Sequence, residues 1–367
     1  MAAAANGSDR RSAFMLAPGG TIGIVGGGQL GRMLALAAAQ LGYRCHIYAP
    51  DEAPPAAEVS AAFTRGDWVD EAALARFGAE VDVATYEFEN IAAGPLAALA
   101  AAVPLYPPPR ALAIAQDRLE EKTFVRDLGG TPAPFAPVAS AEELEAALRE
   151  IGTPAILKTR RFGYDGKGQA RIMAASDVPS AWRDVGGVPS VLEGFVDFEA
   201  EFSILLCRSP AGQVAVWDSP RNEHRGGILA SCEVPAGQSL APAVAEAESL
   251  ARRIAEALDY VGLLAVEFFV AEGRAIFNEM APRVHNSGHW TIEGVLTSQF
   301  ENHIRAICGL PLGATDLVVP QVTMRNLIGD EIDGWHDILA DPAAHLHLYG
   351  KGAARPGRKM GHVTRLG

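Results

Sequence analysis

LLAVEFFVAEGRAIFNEM, residues 263–280, is the stretch on which the reading of this chain turns. Two apolar runs flank Ala271-Glu272-Gly273, and a short glycine-containing link between strand-like runs reads as a hairpin. Glu267 and Glu279 stand about equally far from the turn, so they can face each other across neighbouring strands, ~5 Å apart. Two carboxylates that close repel unless a cation lies between them. Oxygen ligands of this kind suit Mg2+, which also takes phosphate oxygens and water. A solvated strand face is the plainer alternative. The neighbours Phe268, Phe269, Ile276 and Phe277 argue instead for a mostly apolar setting.

Upstream lies FGYDGKGQ, residues 162–169. Gly163, Gly166 and Gly168 free backbone N–H groups to approach an anion. Lys167 adds charge, and Lys158 stands on the preceding strand, PAILKTR. Ordinary hairpin loops also look like this. In VLEGFVDFEAEF, residues 191–202, Glu193 ends an apolar strand and Glu201 follows eight residues later. Strand-end carboxylates are usually just solvated; here they could instead bond an adenine amino group and ribose hydroxyls. A glycine loop, a strand lysine and a downstream carboxylate pair together point to a nucleotide–Mg2+ site.

The N-terminal part reads differently. TIGIVGGGQLGRML, residues 21–34, runs from strand through glycine turn to helix, and Gly26-x-Gly28-x-x-Gly31 fits a dinucleotide fingerprint, with Asp51 mimicking its ribose-binding acid. Strands and helices alternate over 21–116, which argues for a parallel, doubly wound sheet. The run from Tyr106 to Arg110, with three prolines, marks a boundary. Beyond it the sequence predicts a helix over 111–129, a capping box from Ser140 to Glu143, strand-like segments, a long helix near 241–260 and a helix near 298–308. The expected division is a disordered lead-in at 1–20, a Rossmann-like domain at 21–116, a domain at 117–310 with lobes near 117–190 and 191–310, and a small β-rich domain at 311–367.

The 367 residues, 49% hydrophobic and 20% charged, suit two or three domains with ample core. The net charge of −13 gives no support to nucleic-acid binding, and no apolar run is long enough to span a bilayer. Four widely separated cysteines argue against a zinc knuckle or disulfide framework and favour a reducing cytoplasm. A basic tail, Lys351 to Arg365, stands out against this acidic chain.

The order of these pieces resembles the ATP-grasp superfamily. NEMAPRVHNSGHWT (278–291) and YGKGAARPGRKMGHV (349–363), with GGGQLGRML and GYDGKGQ, narrow the resemblance to the N5-carboxyaminoimidazole ribonucleotide synthase family, over about residues 21–365. The resemblance implies an ATP-grasp fold behind a Rossmann-like pre-ATP-grasp domain. It implies that Arg118 and Lys158 contact ATP phosphates and that the loop Gly163, Tyr164, Asp165, Gly166, Lys167, Gly168 and Gln169 closes over them. Glu193, Gly194, Phe195 and Val196 would line the adenine and Glu201 would take the ribose. His224, Asn278 and Glu279 would complete the site, with Glu267 and Glu279 holding Mg2+. The acceptor would meet Gln29, Leu30, Glu87 (with Glu89 beside it), Arg283, His285, Asn286 and Ser287, with Lys351 and Arg358 on its 5′-phosphate. The implied chemistry joins ATP, bicarbonate and aminoimidazole ribonucleotide through carboxyphosphate, with Arg283 holding the bicarbonate-derived group and Asp165 orienting the amine or relaying its proton. A homodimer and a separate mutase taking the product are also implied. The rival readings are another ATP-grasp ligase (a formate-using glycinamide ribonucleotide transformylase or a biotin carboxylase), an NAD-dependent oxidoreductase and a non-catalytic nucleotide sensor.

Overall fold

The computed structural model describes residues 14–161, 163 and 168–367. Its first sheet is parallel, in the order β3-β2-β1-β4, from β1 (Thr21–Val25), β2 (Arg44–Ala49), β3 (Ala62–Arg65) and β4 (Val83–Tyr86). Helices α1 (Gln29–Gln40), α2 (Glu71–Ala79) and α3 (Ala93–Ala102) connect or follow these strands. The second helix starts at Glu71 because Asp70 is the residue whose carboxylate accepts the Ala73 N–H. β3 was not anticipated: it is four residues long, half exposed at the sheet edge, and carries too short an alternation to read.

The single helix expected over 111–129 is two, α4 (Pro109–Ala115) and α5 (Arg118–Asp127). Asp117 breaks it. Its Oδ1 accepts the Leu119 and Glu120 N–H groups as an N-cap, while both oxygens take a bidentate grip from Arg160 at 2.9 and 2.8 Å. Arg161 adds a 3.2 Å bond. One buried carboxylate therefore ties α5 to the start of the glycine loop. Asp117→Ala removes the cap and orphans Arg160, and should lower stability by roughly 2–3 kcal/mol. Asp117→Asn, which can still cap, should fall between that variant and wild type in urea unfolding.

The second sheet is antiparallel, in the order β5-β8-β6-β7: β5 (Phe135–Val138), β6 (Ala155–Thr159), β7 (Gln169–Ile172) and β8 (Ser190–Gly194). Helices α6 (Ala141–Ile151) and α7 (Val178–Asp184) cover it, packing Leu144, Leu148 and Val178 on Leu157 and Leu192. Ser140 caps α6 by accepting the Glu143 N–H, and Glu143 accepts back from Ala139, one residue earlier than in a standard capping box.

The third sheet is antiparallel and has nine strands: β9 (Ala200–Arg208), β10 (Val214–Val216), β11 (Arg221–Arg225), β12 (Ile228–Val234), β13 (Gly262–Ala271), β14 (Arg274–Ala281), β15 (Val322–Ile328), β16 (Ala344–Leu348) and β17 (Lys359–Leu366). Its order is β14-β13-β9-β11-β12-β15-β17-β16, with β10 paired to β9. The C-terminal strands thus continue this sheet through the β12–β15 pair. Helix α8 (Ala241–Ala257) lies on one face, setting Leu250 and Ile254 against Phe202 and Phe268. On the other, α9 (Thr291–Gly294) and α10 (Gln299–Ile307) follow in sequence, and Ile304 and Ile307 share a core with Leu205, Leu263 and, from α1, Leu30 and Leu34. This contact seats the N-terminal domain beside the hairpin. No described helix is long and apolar enough to cross a membrane.

Candidate active site

β13 and β14 form the hairpin, with Glu272 and Gly273 at φ 52° and 70° in its turn, and Glu267 and Glu279 are register partners. A bulge directly after Glu267 shifts the rest of the ladder. Burial, and then the charge of Glu279, push Glu267 up to about 7. Burial also works against the charge of Glu279, but Arg118, 3.3 Å away, and Lys158 outweigh it and keep that carboxyl below its ordinary range.

Two clefts meet at this hairpin. The larger, about 610 Å³, lies between the second and third sheets and takes in Lys158, Gln169, Glu201, His224, Glu267 and Asn278. The smaller, about 240 Å³, is bounded by Gln29, Leu30, Glu89, Gly163 and Arg283. Both are lined by Arg118, Glu279, His285, Asn286 and Lys359. The shared wall lets a group bound in one cleft reach the other.

In the larger cleft, Glu201 on β9 and His224 on β11 form a 2.6 Å ion pair. Burial lowers the affinity of His224 for its proton, but the bond to Glu201 and the charge of Glu267 outweigh this and raise its pKa. Lys158 on β6 is bonded at 2.9 Å to Glu193 on β8. Glu193 is buried, so its carboxylate is held by lysines and does not face the cleft. Its second partner, Lys122 at 3.2 Å, is fully buried and also donates to the Asn278 carbonyl. Against burial, the two lysines hold Glu193 down at about 2. Lys158 is nevertheless lowered, by burial and by the neighbouring charges of Lys122 and Arg118, which together exceed the pull of Glu193. Glu121, which accepts the Met280 N–H, is pushed up to about 8 by burial. Arg118, Lys122 and Lys158 thus gather around Glu193 and Glu279, a cluster of cations suited to a polyphosphate. Gly194, which ends β8, and the following Phe195 and Val196 line neither cleft; the Gly194 and Phe195 N–H groups bond Pro134 and Pro154 carbonyls. Tyr164, Asp165, Gly166 and Lys167 lie outside the described residues; Gly168 has φ +68°.

The smaller cleft departs more from expectation. Glu87 does not line it. Its Oε1 accepts the Gly28 N–H at 2.7 Å, and Gly26, at φ +122°, is where a Cβ would strike that side chain. The N-terminal glycine loop thus already holds the chain's own carboxyl group, whose pKa burial raises. Arg283 pairs with Glu89 at 2.9 Å. His285 faces Glu267 at 3.4 Å, and burial and the charge of Arg283 keep it neutral. Ser287 is fully buried beneath, with its hydroxyl on His285 Nδ1 at 2.9 Å, so it orients that ring and does not reach the cleft. Asn286 lines both clefts, but its amide is engaged by Asn326 and His289. Lys351 and Arg358 line neither cleft; they donate to the carbonyls of Lys359 and Ala353. Lys359, opening β17, is the tail cation on the shared wall.

Lys122, Glu121, Asp117 and Lys359 were not singled out from the sequence. A signal existed for the first two: Arg118, Glu121, Lys122 and Val125 fall at i, i+3, i+4, i+7, the spacing of one helix face, and the last three are buried. Charged residues on an inward stripe need partners, and here Arg118 finds Glu279, Lys122 finds Glu193 and Glu121 finds the Met280 N–H.

Comparison with known proteins agrees with this architecture. Residues 20–116 match the ribonucleotide synthetase preATP-grasp domain, 123–300 the ATP-grasp domain, and 322–367 the phosphoribosylaminoimidazole carboxylase C-terminal domain. The chain is 49% identical over 354 residues to N5-carboxyaminoimidazole ribonucleotide synthase of Brucella melitensis, covering 96% of this chain and 97% of that one. The crystal structure of the Thermus thermophilus synthetase superposes with a TM-score of 0.88 at 48% identity, covering 94% and 93% of the two chains. That of the Aspergillus clavatus synthase, in complex with ADP and 5-aminoimidazole ribonucleotide, does so at 0.89 and 30% identity, covering 95% and 94%. With near-complete coverage on both sides, and with the paired carboxylates and cationic cleft where an ATP-grasp enzyme needs them, the chain belongs to the N5-carboxyaminoimidazole ribonucleotide synthase family of ATP-grasp ligases.

Proposed function

We propose that this chain uses ATP and bicarbonate to carboxylate 5-aminoimidazole ribonucleotide at its exocyclic amine, giving the N5-carbamate of purine biosynthesis. The shared wall between the two clefts carries this reading: a nucleotide in the larger one presents its terminal phosphate beside the acceptor in the smaller. A bicarbonate oxygen attacks the γ-phosphorus, ADP leaves, and carboxyphosphate forms. The amine then takes the carboxyl carbon, or CO2 released from it, and inorganic phosphate departs. Arg118 and Lys158 bear on the phosphates; Arg283 holds the bicarbonate-derived group. His285, neutral and with its Nδ1 accepting the Ser287 N–H, carries its ring proton on Nε2, which it presents to Glu267 at 3.4 Å.

The donor set fits Mg2+. Glu267 and Glu279 are facing oxygen ligands, and burial together with the charge of Glu279 lifts the pKa of Glu267. No described group of three or more His, Cys, Asp or Glu side chains could hold a metal, so the ion would depend on phosphate oxygens and water for its remaining ligands, as Mg2+ does. Bound there, it would neutralise charge on the transferring phosphoryl group. The NAD-dependent reading loses its footing at Gly28, whose N–H is taken by Glu87.

Phosphate release from ATP with Mg2+ and bicarbonate, with and without the ribonucleotide, tests the assignment. Stimulation by the ribonucleotide of at least about 10-fold is expected. A folded protein showing none would leave an ATP-grasp enzyme with a different acceptor.

A further inference from the structure

Behind the shared wall lies a buried polar layer that the reaction does not use directly. The helical turns over 286–294 carry Asn286, His289 and Glu293. Facing them, β15, β17 and β16 carry Asn326, His362 and His347, which are neighbours in register. The two rows pair rung by rung. Asn286 and Asn326 exchange reciprocal amide bonds at 2.9 and 2.7 Å. His289 Nδ1 and His362 Nδ1 both meet the Tyr349 hydroxyl, at 3.1 and 2.9 Å. Glu293 Oε1 meets His347 Nε2 at 2.6 Å, and the His347 and His362 rings stack at 4.5 Å. Asn326, His289, His362 and Tyr349 are all essentially inaccessible.

The orientation of each group follows from one backbone atom. Asn326 Nδ2 donates to the Leu229 carbonyl at 2.8 Å, so its Oδ1 must face Asn286. Asn286 then accepts at Oδ1 and directs its other N–H at His289 Nδ1, 2.9 Å away, which must be an acceptor. Tyr349, at the far end, lies beneath the Lys351 ammonium, 5.5 Å from the ring centroid. The layer therefore joins the segment bearing Arg283 and His285 to the one bearing Lys351 and Lys359. An apolar layer would fill this space with less desolvation, and His289 Nε2, His362 Nε2 and Glu293 Oε2 are buried without a hydrogen-bond partner; the directed bonds running from the Leu229 carbonyl through Asn326 and Asn286 to His289 are what favour one register.

We propose that His289, with Asn326, Tyr349 and His362, is a positioning device that fixes the Arg283–Ser287 segment and the Lys351–Lys359 segment relative to each other, and so sets the affinity for the ribonucleotide acceptor. The inference rests on the acceptor assigned above. His289→Leu and His289→Asn separate positioning from packing: Asn puts an oxygen acceptor where Nδ1 stands, and Leu puts a methyl group there. Tyr349→Phe removes only the bridging hydroxyl and keeps the ring under Lys351.

In steady-state phosphate release, His289→Leu should raise the KM for aminoimidazole ribonucleotide at least about 10-fold, and by at least about 3-fold more than it raises the KM for ATP. His289→Asn should recover most of the loss, and Tyr349→Phe should raise the same KM by about 3-fold or more. Should His289→Leu fail to fold, Tyr349→Phe decides. If the variants move all parameters together, or lower only the melting temperature, the inference is overturned while the activity stands. A wild-type enzyme that the ribonucleotide does not stimulate overturns the acceptor assignment and this inference with it.

Discussion

Glu279→Gln should reduce kcat for ribonucleotide-stimulated phosphate release by about 10³-fold or more, equivalent to about 4 kcal/mol of barrier. Glu279 stands where every part of the site meets. It is Glu267's register partner, it is 3.3 Å from Arg118, and it lines both clefts. The amide keeps the shape but removes the charge that Arg118 and Lys158 hold in place, so both a metal ligand and an orienting partner of Arg118 are lost. Glu267→Gln should cost less, about 10–100-fold, because that carboxyl lines only the larger cleft. The Mg2+ concentration giving half-maximal rate should rise in both variants. A Glu279→Gln enzyme retaining more than about a tenth of wild-type kcat, with an unchanged Mg2+ requirement, would remove the hairpin from the metal site.

The hairpin was legible because its information is local. Two apolar runs, a glycine turn and two equidistant carboxylates determine which residues face each other, and the register pairs Glu267 with Glu279 as the spacing implies. The parallel N-terminal sheet was legible for the same reason: alternation and glycine turns are short-range signals. The sequence is less legible where a side chain has a distant partner. Asp117 looks like one more polar residue inside a helix until Arg160, 43 positions away, makes it a break. Glu87 looks like a strand-end ligand until it is seen to fill the Gly28 loop, 59 positions back. Lys351, Arg358 and Lys359 are interchangeable as a basic run. Only the pairing of β17 with β15 puts Lys359 on the wall of the clefts and turns the other two onto backbone carbonyls. The basic tail reveals a local surplus of cations, but not which one a fold will present.

Glu193→Ala should be the most destabilising single change at the site, by roughly 3–5 kcal/mol, since it strands two lysines in a buried setting. Lys122 is fully inaccessible and Lys158 nearly so, and Glu193 is the carboxylate both rely on. Lys122→Met should cost less, because Glu193 then keeps Lys158 at 2.9 Å and the new side chain fills the same space. Acid provides an independent check. The folded-state pKa of Glu193, about 2, lies below its ordinary 4.5, so the contribution is complete above pH 4.5 and is lost as pH falls towards 2. Wild-type stability should therefore fall more steeply than that of Glu193→Ala across this window in urea titrations. Saturating ADP adds a test that links the ion pair to function. If Lys158 is a phosphate ligand temporarily held by Glu193, the nucleotide gives it back an anion in the variant. ADP should then raise the melting temperature of Glu193→Ala by more than it raises that of the wild type. An equal or smaller shift would mean that Lys158 stays with the protein interior, leaving Arg118 and the glycine loop to bear the phosphates.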